Sequence, residues 1–512
     1  MILTSAATCA LSMTLTADVR MPKIFGDNMV LQREIPVPVW GWAGKGEKIS
    51  VRFAGQEKTA ITGEDGKWMV KLDPLRASKE PSELIVSFSA GNPSSPEAMP
   101  GKSRQLKIKN VLVGEVWVCS GQSNMAFDLK RALNAKDEIE KAANPLIRNI
   151  TIKNTPSPKK LDDIAQGKWD ECSPQTAGGF TAVGYFFAKK LVEELDIPVG
   201  LIDSSWGGTP IEAWICLEGF RAGSEFDAII KQVEEWGSTG ETALSEKQSA
   251  PDVPTSPKPP AGQRLPTKLY NSMISPLVPY AVRGVIWYQG EANSADGIAY
   301  LPKMKALIGG WRQLWKQGDF PFYYVQLPNH KNSDPDKPEG GDGYSRLREA
   351  QFQSLSIKNT GMAVIIDVGE AENNHPVNKQ DVGARLALLA LANDYGKKVE
   401  SSGPLYKSFK GEGNKIRIEF DHAENGLLVG EKKGLAPAKE IKDGKLGWIV
   451  IAGDERKFYF ADAVIDGKAL VVSSDKVTKP VAVRYHFTAN PEGLHLYNRE
   501  GLPATPFRTD AW

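Results

Sequence analysis

Three rhythms of hydrophobic and polar positions divide the chain. Between 29 and 88 the apolar residues come in short runs, at 29–32, 37–42, 49–53, 68–72 and 84–88, with turn-formers such as Gly44, Gly46, Asp65 and Gly66 between them. Side chains alternate across a strand, so this spacing predicts a small antiparallel β-sandwich over 18–110. A Gly/Pro/Ser-rich run at 91–101 predicts a loop before the next segment. From 111 to 396 the period switches back and forth. Strand-like runs at 111–118, 199–203, 284–288, 322–327 and 362–367 alternate with helical spacing at 180–195, 227–236, 300–315 and 345–355. A closing helix opens at Asn378, with Asp381 three residues on as its capping partner and Val382, Leu386 and Leu389 on one face. Such alternation implies an α/β domain whose largely parallel sheet is covered on both faces. Residues 237–266, rich in Ser, Pro and Lys, form a long loop excursion from it. Over 397–512 short strands return, which predicts a second β-rich, sandwich-like domain.

Composition narrows the function more than the fold. A chain of 512 residues with 41% hydrophobic and 24% charged residues is ordinary for a multidomain globular protein. A net charge of +1 removes the electrostatic basis for binding nucleic acid or an anionic membrane. The start, 1–17, is weakly apolar and reads as a signal peptide for export to the periplasm or the extracellular space. No other stretch approaches the length of a membrane span. Cys9 would leave with the leader. Cys119, Cys172 and Cys216 have no metal-ligand spacing, so they read as buried free thiols, with one disulfide as the alternative.

Four strand ends of the α/β segment carry small polar clusters: Gly121, Gln122 and Ser123; Trp206, Gly207 and Gly208; Gln289 through Asn293; and Glu372 through His375. In a parallel sheet these carboxyl ends converge on one rim, where such folds bind ligands. Acyl transfer needs a nucleophile, a base within hydrogen-bond reach and donors aimed at the developing oxyanion. Ser123 offers the hydroxyl, His375 the base, and glycine N–H groups with amide side chains the oxyanion hole. His330 is the reserve base. Each piece also has a plainer reading: Gly-x-Ser as a turn, the glycines as a tight bend, Asn293 as a helix cap.

Taken together, Gly121-Gln-Ser-Asn-Met125, the block from Trp206 to Trp214, Gln289-Gly-Glu291 and His375-Pro-x-Asn-Lys379 resemble the sialate O-acetylesterase family of the SGNH (GDSL-like) hydrolase superfamily. Flanking stretches at 22–32 and 500–510 extend the resemblance over nearly the whole chain after the leader. It implies an SGNH-like central sheet and a serine esterase that removes O-acetyl groups from sugars without metal or organic cofactor. Ser123 maps to the nucleophile and His375 to the base. The second-block glycine falls at Gly207 or Gly208, with Gly208 preferred. The superfamily's third block is Gly-x-Asn-Asp, whereas Asn293 stands three residues after Gly290, which leaves the side-chain oxyanion donor open between Asn293 and Gln289. Glu372 takes the place of the expected Asp-x-x-His acid, with a Ser–His dyad as its rival. Glu291 and Trp214 are expected to line the acyl or sugar pocket. The implied substrate is a 9-O-acetylated sialic acid; acetylated xylan or another polysaccharide is the alternative, and a non-catalytic carbohydrate-binding protein a third reading.

Overall fold

An eighteen-residue strand, Arg104–Gly121 (β1), carries the chain from an amino-terminal β layer into the central sheet. The computed structural model describes residues 19–89, 104–239 and 262–512. The expected leader at 1–17, the loop at 91–101 and residues 240–261 of the long excursion lie outside them. The first half of β1 pairs antiparallel with Ser78–Ser89 and, at Leu112 to Gly114, parallel with Val30–Gln32. Its second half is the middle of the α/β sheet. The position 110/111, where the sequence pattern changes, therefore lies inside a continuous strand. Asn110, with φ of 55°, marks the junction.

The other strands of this sheet are Asn144–Thr151 (β2), Trp169–Cys172 (β3), Val199–Ser205 (β4), Gly284–Tyr288 (β5), Phe322–Val325 (β6) and Thr360–Ala363 (β7). Their order is β7-β6-β5-β1-β4-β2-β3. Every pair is parallel except β2 with β3. Parallel strands buried on both faces need continuous apolar runs, and Val116, Trp117, Val118 and Cys119 of β1 are fully buried. The longer helices of this segment are Ala182–Leu195 (α1), Asp227–Thr239 (α2), Tyr300–Trp315 (α3), Gly343–Gln353 (α4) and Lys379–Asn393 (α5).

Alternation along β1 and β5 sends neighbouring side chains to opposite faces. Trp117 packs edge-on against Phe187 of α1, while Trp287 and Phe322 on the other face meet Trp311 of α3. Helices α1 and α5 lie so close that a Cβ at Gly383 would come within 2.7 Å of Phe187 N and Val183 O. A side chain there would part the helices.

The amino-terminal layer and the α/β segment share one hydrophobic core, whereas most of the buried apolar residues beyond 415 form cores of their own. Polar ties join the parts. Glu115, fully buried on β1, accepts from Gln32, Arg33 and Arg283. Arg348, fully buried on α4, donates to Leu327 O and Pro328 O on one side and to Thr488 O and Ala489 O on the other. Each spends a buried charge on several hydrogen bonds, as burial of a charge requires.

Two elements depart from the apolar pattern. Gln56–Ile61 is a strand in which no side chain is fully buried, so it carries no apolar signal. The run at 362–367 is regular strand only as far as Ala363. Cys119, Cys172 and Cys216 are buried free thiols, not a disulfide pair. Among the described residues no helix is long and apolar enough to cross a membrane.

Candidate active site

Register sets the site. Gly121 at the end of β1 stands between Ser205 of β4 and Tyr288 of β5, so three strand ends finish level. The turns that follow them start from one rim. Gly121 has φ of 137°, and a Cβ there would come to 2.1 Å from Tyr288 O. Only glycine fits where the chain leaves the sheet this close to its neighbour. The turn is then held by Gln122 N donating to Tyr288 O at 3.0 Å and by Met125 N and Ala126 N donating to Gln122 O. It presents Ser123, half-buried, above the sheet.

His375 reaches that serine from the loop between β7 and α5. Its Nε2 lies 2.7 Å from Ser123 Oγ, across 252 residues of sequence. Asn373 clasps the backbone of His375 on both sides: its Oδ1 accepts from His375 N at 2.9 Å, and its Nδ2 donates to His375 O at 3.0 Å. Glu370 braces this loop, accepting from Asn373 Nδ2 and from Val377 N. Asn378 caps α5 by accepting from Asp381 N at 3.1 Å. The expected acid, Glu372, is exposed and makes no hydrogen bond or ion pair among the described residues. It stands in solvent, and Ser123 and His375 are bonded to each other with no carboxylate on the imidazole among the described residues. His330 does not bond to Ser123; it packs beside Tyr344, with ring centroids 5.5 Å apart.

The residues expected to form an oxyanion hole stand around the same turn. Gly207, rather than Gly208, abuts the serine: a Cβ on Gly207 would sit 3.2 Å from Ser123 Cβ. Gly208 is one residue farther on, with its carbonyl accepting from Arg264 Nη1. The N–H groups of Ser123 and Gly207 find no acceptor among the described residues. Gln289 and Asn293 are both buried and fully spent. Gln289 Nε2 donates to Asn293 Oδ1 at 2.7 Å, with Gln122 Oε1 and Thr209 O also in range, and its Oε1 accepts from Tyr300 OH. Asn293 Nδ2 donates to Glu212 and Asp296, and its Oδ1 also accepts from Ile211 N. An amide with both hydrogens committed has none for an oxyanion. These two residues knit the second and third sequence blocks together instead. Gln122 is the amide with a donor to spare: its Oε1 is pinned by Gln289 and Ala292 N, and its Nε2 meets no acceptor among the described residues.

Trp214 is withdrawn from the surface of this rim, whereas Glu291 is half-buried there. Trp214 is fully buried, bonded through Nε1 to Thr209 Oγ1 and packed edge-on to Trp287. Glu291 accepts from Asn124 Nδ2 beneath the serine turn. Burial pushes its carboxyl up, with Asn124 and Lys379 opposing. Asn124 is the centre of this lower layer. Its Nδ2 also donates to Asn374 O at 2.8 Å, and its Oδ1 accepts from Lys379 Nζ at 2.6 Å. Lys379 is fully buried, with its ammonium over the rings of Phe127 and Tyr288. Burial drives it down to about 7 against the pull of Glu291 and Glu370. The imidazole of His375 is held below its ordinary range, first by burial and then by its neighbours Lys379 and Arg131. A neutral imidazole in contact with a hydroxyl is what a general base requires. No group of three or more His, Cys, Asp or Glu side chains that could hold a metal occurs among the described residues.

A hydroxyl paired with imidazole at the carboxyl rim of a parallel sheet, beside unpaired N–H groups, has the geometry of a serine ester hydrolase. Comparison with known proteins makes the class specific. The family model described as "Carbohydrate esterase, sialic acid-specific acetylesterase" matches residues 113–245 and 258–390. The sialate O-acetylesterase of Homo sapiens is 30% identical, covering 95% of this chain and 92% of that protein. Its Mus musculus counterpart is 31% identical over 95% and 94%. A carbohydrate acetylesterase from Xanthomonas citri superposes with a TM-score of 0.80 at 34% identity, covering 97% of this chain and all of that one. The chain belongs to the sialic acid-specific acetylesterase family of carbohydrate esterases, and it is an esterase that removes O-acetyl groups from sugars.

Proposed function

We propose that the protein hydrolyses O-acetyl esters of sialic acids, the 9-O-acetyl ester foremost, with Ser123 as nucleophile and His375 as general base. The observation that carries this reading is the 2.7 Å bond between Ser123 Oγ and His375 Nε2 at the sheet rim. Ser123 Oγ forms a bond to the acetyl carbonyl carbon as its proton passes to Nε2. The oxyanion that develops is met by the N–H groups of Ser123 and Gly207, with Gln122 Nε2 as the adjacent side-chain donor. The bond between the acetyl carbonyl carbon and the sugar oxygen then breaks, and the sugar hydroxyl departs with the proton from the imidazolium. Water repeats the sequence on the acetyl-serine, releasing acetate and restoring the hydroxyl. His375 works without an orienting carboxylate; the Asn373 clasp on its backbone and the Glu370 brace supply orientation instead.

The sialate assignment draws on the description of the family and on relatives named sialate O-acetylesterase across nearly their whole length. A second reading, an acetylxylan or other polysaccharide acetylesterase, draws on the Xanthomonas citri structure, described only as a carbohydrate acetylesterase. Acetate release from 9-O-acetylated sialic acid and from acetylated xylan, measured side by side on the full chain, separates the two. Preference for the sialate is expected, and preference for xylan would replace the first reading with the second. Export to the periplasm or extracellular space is the accompanying proposal, supported by the signal-like pattern of residues 1–17.

A further inference from the structure

A sialic acid differs from the neutral sugars of plant polysaccharides in carrying a carboxylate, so an enzyme selecting it gains from a cation at the cleft. Arg131 lies on a segment fastened to the loop that bears His375. It ends the short 3-10 turn Leu129–Arg131, eight residues beyond Ser123. Just past that turn, Leu133 N donates to Val377 O at 2.8 Å and Gln380 Nε2 donates to Leu133 O, which fastens the segment to the loop bearing His375. The guanidinium lies 4.3 Å from the centroid of Phe127, which gives it a fixed face to rest on. It is exposed and meets no carboxylate among the described residues. Its neighbour Lys130, by contrast, is paired with Asp128 at 3.0 Å. Its charge is also felt at the imidazole of His375. The other guanidinium near the site, that of Arg264, already donates to Gly208 O.

We propose that Arg131 receives the carboxylate of an acidic O-acetylated sugar, a sialic acid, in a forked pair of hydrogen bonds while the acetyl ester lies at Ser123. This rests on the sialate reading above and names the residue that produces its selectivity. A planar fork matches a carboxylate in a way that an ammonium does not. A site built around such a pair discriminates strongly against a substrate lacking the charge.

The test is a cycle between enzyme and substrate. The full-length wild type, Arg131→Gln, Arg131→Lys and Arg264→Gln are each assayed on 9-O-acetylated sialic acid and on its C1 amide, which keeps the ester and removes the charge. The ratio of kcat/KM on the acid to that on the amide is compared within each variant, so general damage to Ser123 or His375 cancels. The wild-type ratio should fall about 10- to 100-fold in Arg131→Gln, the size expected for hydrogen bonds to a charged group. It should be partly restored in Arg131→Lys and stay unchanged in Arg264→Gln. An unchanged ratio in Arg131→Gln, or a fall confined to Arg264→Gln, overturns the role of Arg131 while the sialate reading stands. A wild type that turns over acetylated xylan but neither sialate substrate overturns the sialate reading, and this proposal with it.

Discussion

Lys379 Nζ donates to Asn124 Oδ1 at 2.6 Å, a bond between the first residue of α5 and the residue that follows the serine. Asn124 turns its other end to Asn374 O and Glu291. The serine turn and the histidine loop, 250 residues apart in sequence, are thus fastened to each other one layer below the Ser123–His375 bond. Asn124 and Lys379 are positioning residues in this account, because a misplacement near 1 Å can cost about 10²-fold in rate. Asn124→Ala and Lys379→Met should each lower kcat on 4-nitrophenyl acetate by about 10- to 100-fold with a much smaller change in KM. Lys379→Met should also raise the pH of the acid limb, since it removes a positive charge that lowers the proton affinity of His375. A purely structural role for Lys379 would leave that limb in place.

The pH dependence of the unmodified enzyme follows from the same residue. Only neutral His375 can accept the serine proton, so activity is present above the imidazole pKa and is lost as pH falls through it. Burial and its cationic neighbours hold that pKa below the ordinary value of about 6.5. The acid limb of kcat/KM should therefore fall below pH ~6.5. A limb well above that value would mean that the imidazole is stabilised in its charged form, as a triad carboxylate would do.

Glu372 and Asn373 separate the dyad from the triad. Glu372 is in solvent, and Glu372→Gln should change kcat/KM by no more than about twofold, as at any open surface position. Asn373 grips both sides of the His375 peptide, and Asn373→Ala should cost far more, about tenfold or beyond. The opposite ranking would return Glu372 to the machinery.

Behind the histidine loop, Arg385 of α5 makes a two-pronged ion pair with Asp367, at 2.6 and 2.8 Å, with both side chains buried. Tyr497 OH reaches the same carboxylate at 3.3 Å from the carboxyl-terminal β segment. Removing one partner strands the other charge in the interior. Arg385→Leu should lower unfolding stability by about 3–5 kcal/mol in denaturant titration.

How much of this was legible before the fold was known depended on what each residue does with its hydrogen bonds. Ser123 and His375 stood out because each follows a buried apolar run, and a parallel sheet brings such ends together. Gln289 and Asn293 looked like oxyanion donors for the same reason. Residue type does not reveal that the amide hydrogens of Gln289 are spent on Thr209 and Asn293, and those of Asn293 on Glu212 and Asp296. Trp214 is a case of the same kind, since an aromatic beside a motif reads as pocket lining until its burial is known. Gly207 and Gly208 are adjacent and chemically identical, so only the close approach of Gly207 to Ser123 distinguishes them. The Lys379–Asn124–Glu291 layer gave one signal, the Asn124 and Lys379 positions within the family-like blocks, but the link between them is tertiary. The continuity of β1 through the 110/111 change was hidden because both of its halves read as strand.

The central claim is that the hydroxyl of Ser123 attacks the acetyl ester. Acetate release from 9-O-acetylated sialic acid should be measured for the wild type and for Ser123→Ala, with near-ultraviolet circular dichroism on both to establish that the fold is kept. The account predicts an intact spectrum and a loss of more than about 10³-fold in kcat, as befits removal of a nucleophile. A folded Ser123→Ala enzyme that still releases acetate within about tenfold of the wild-type rate would contradict it.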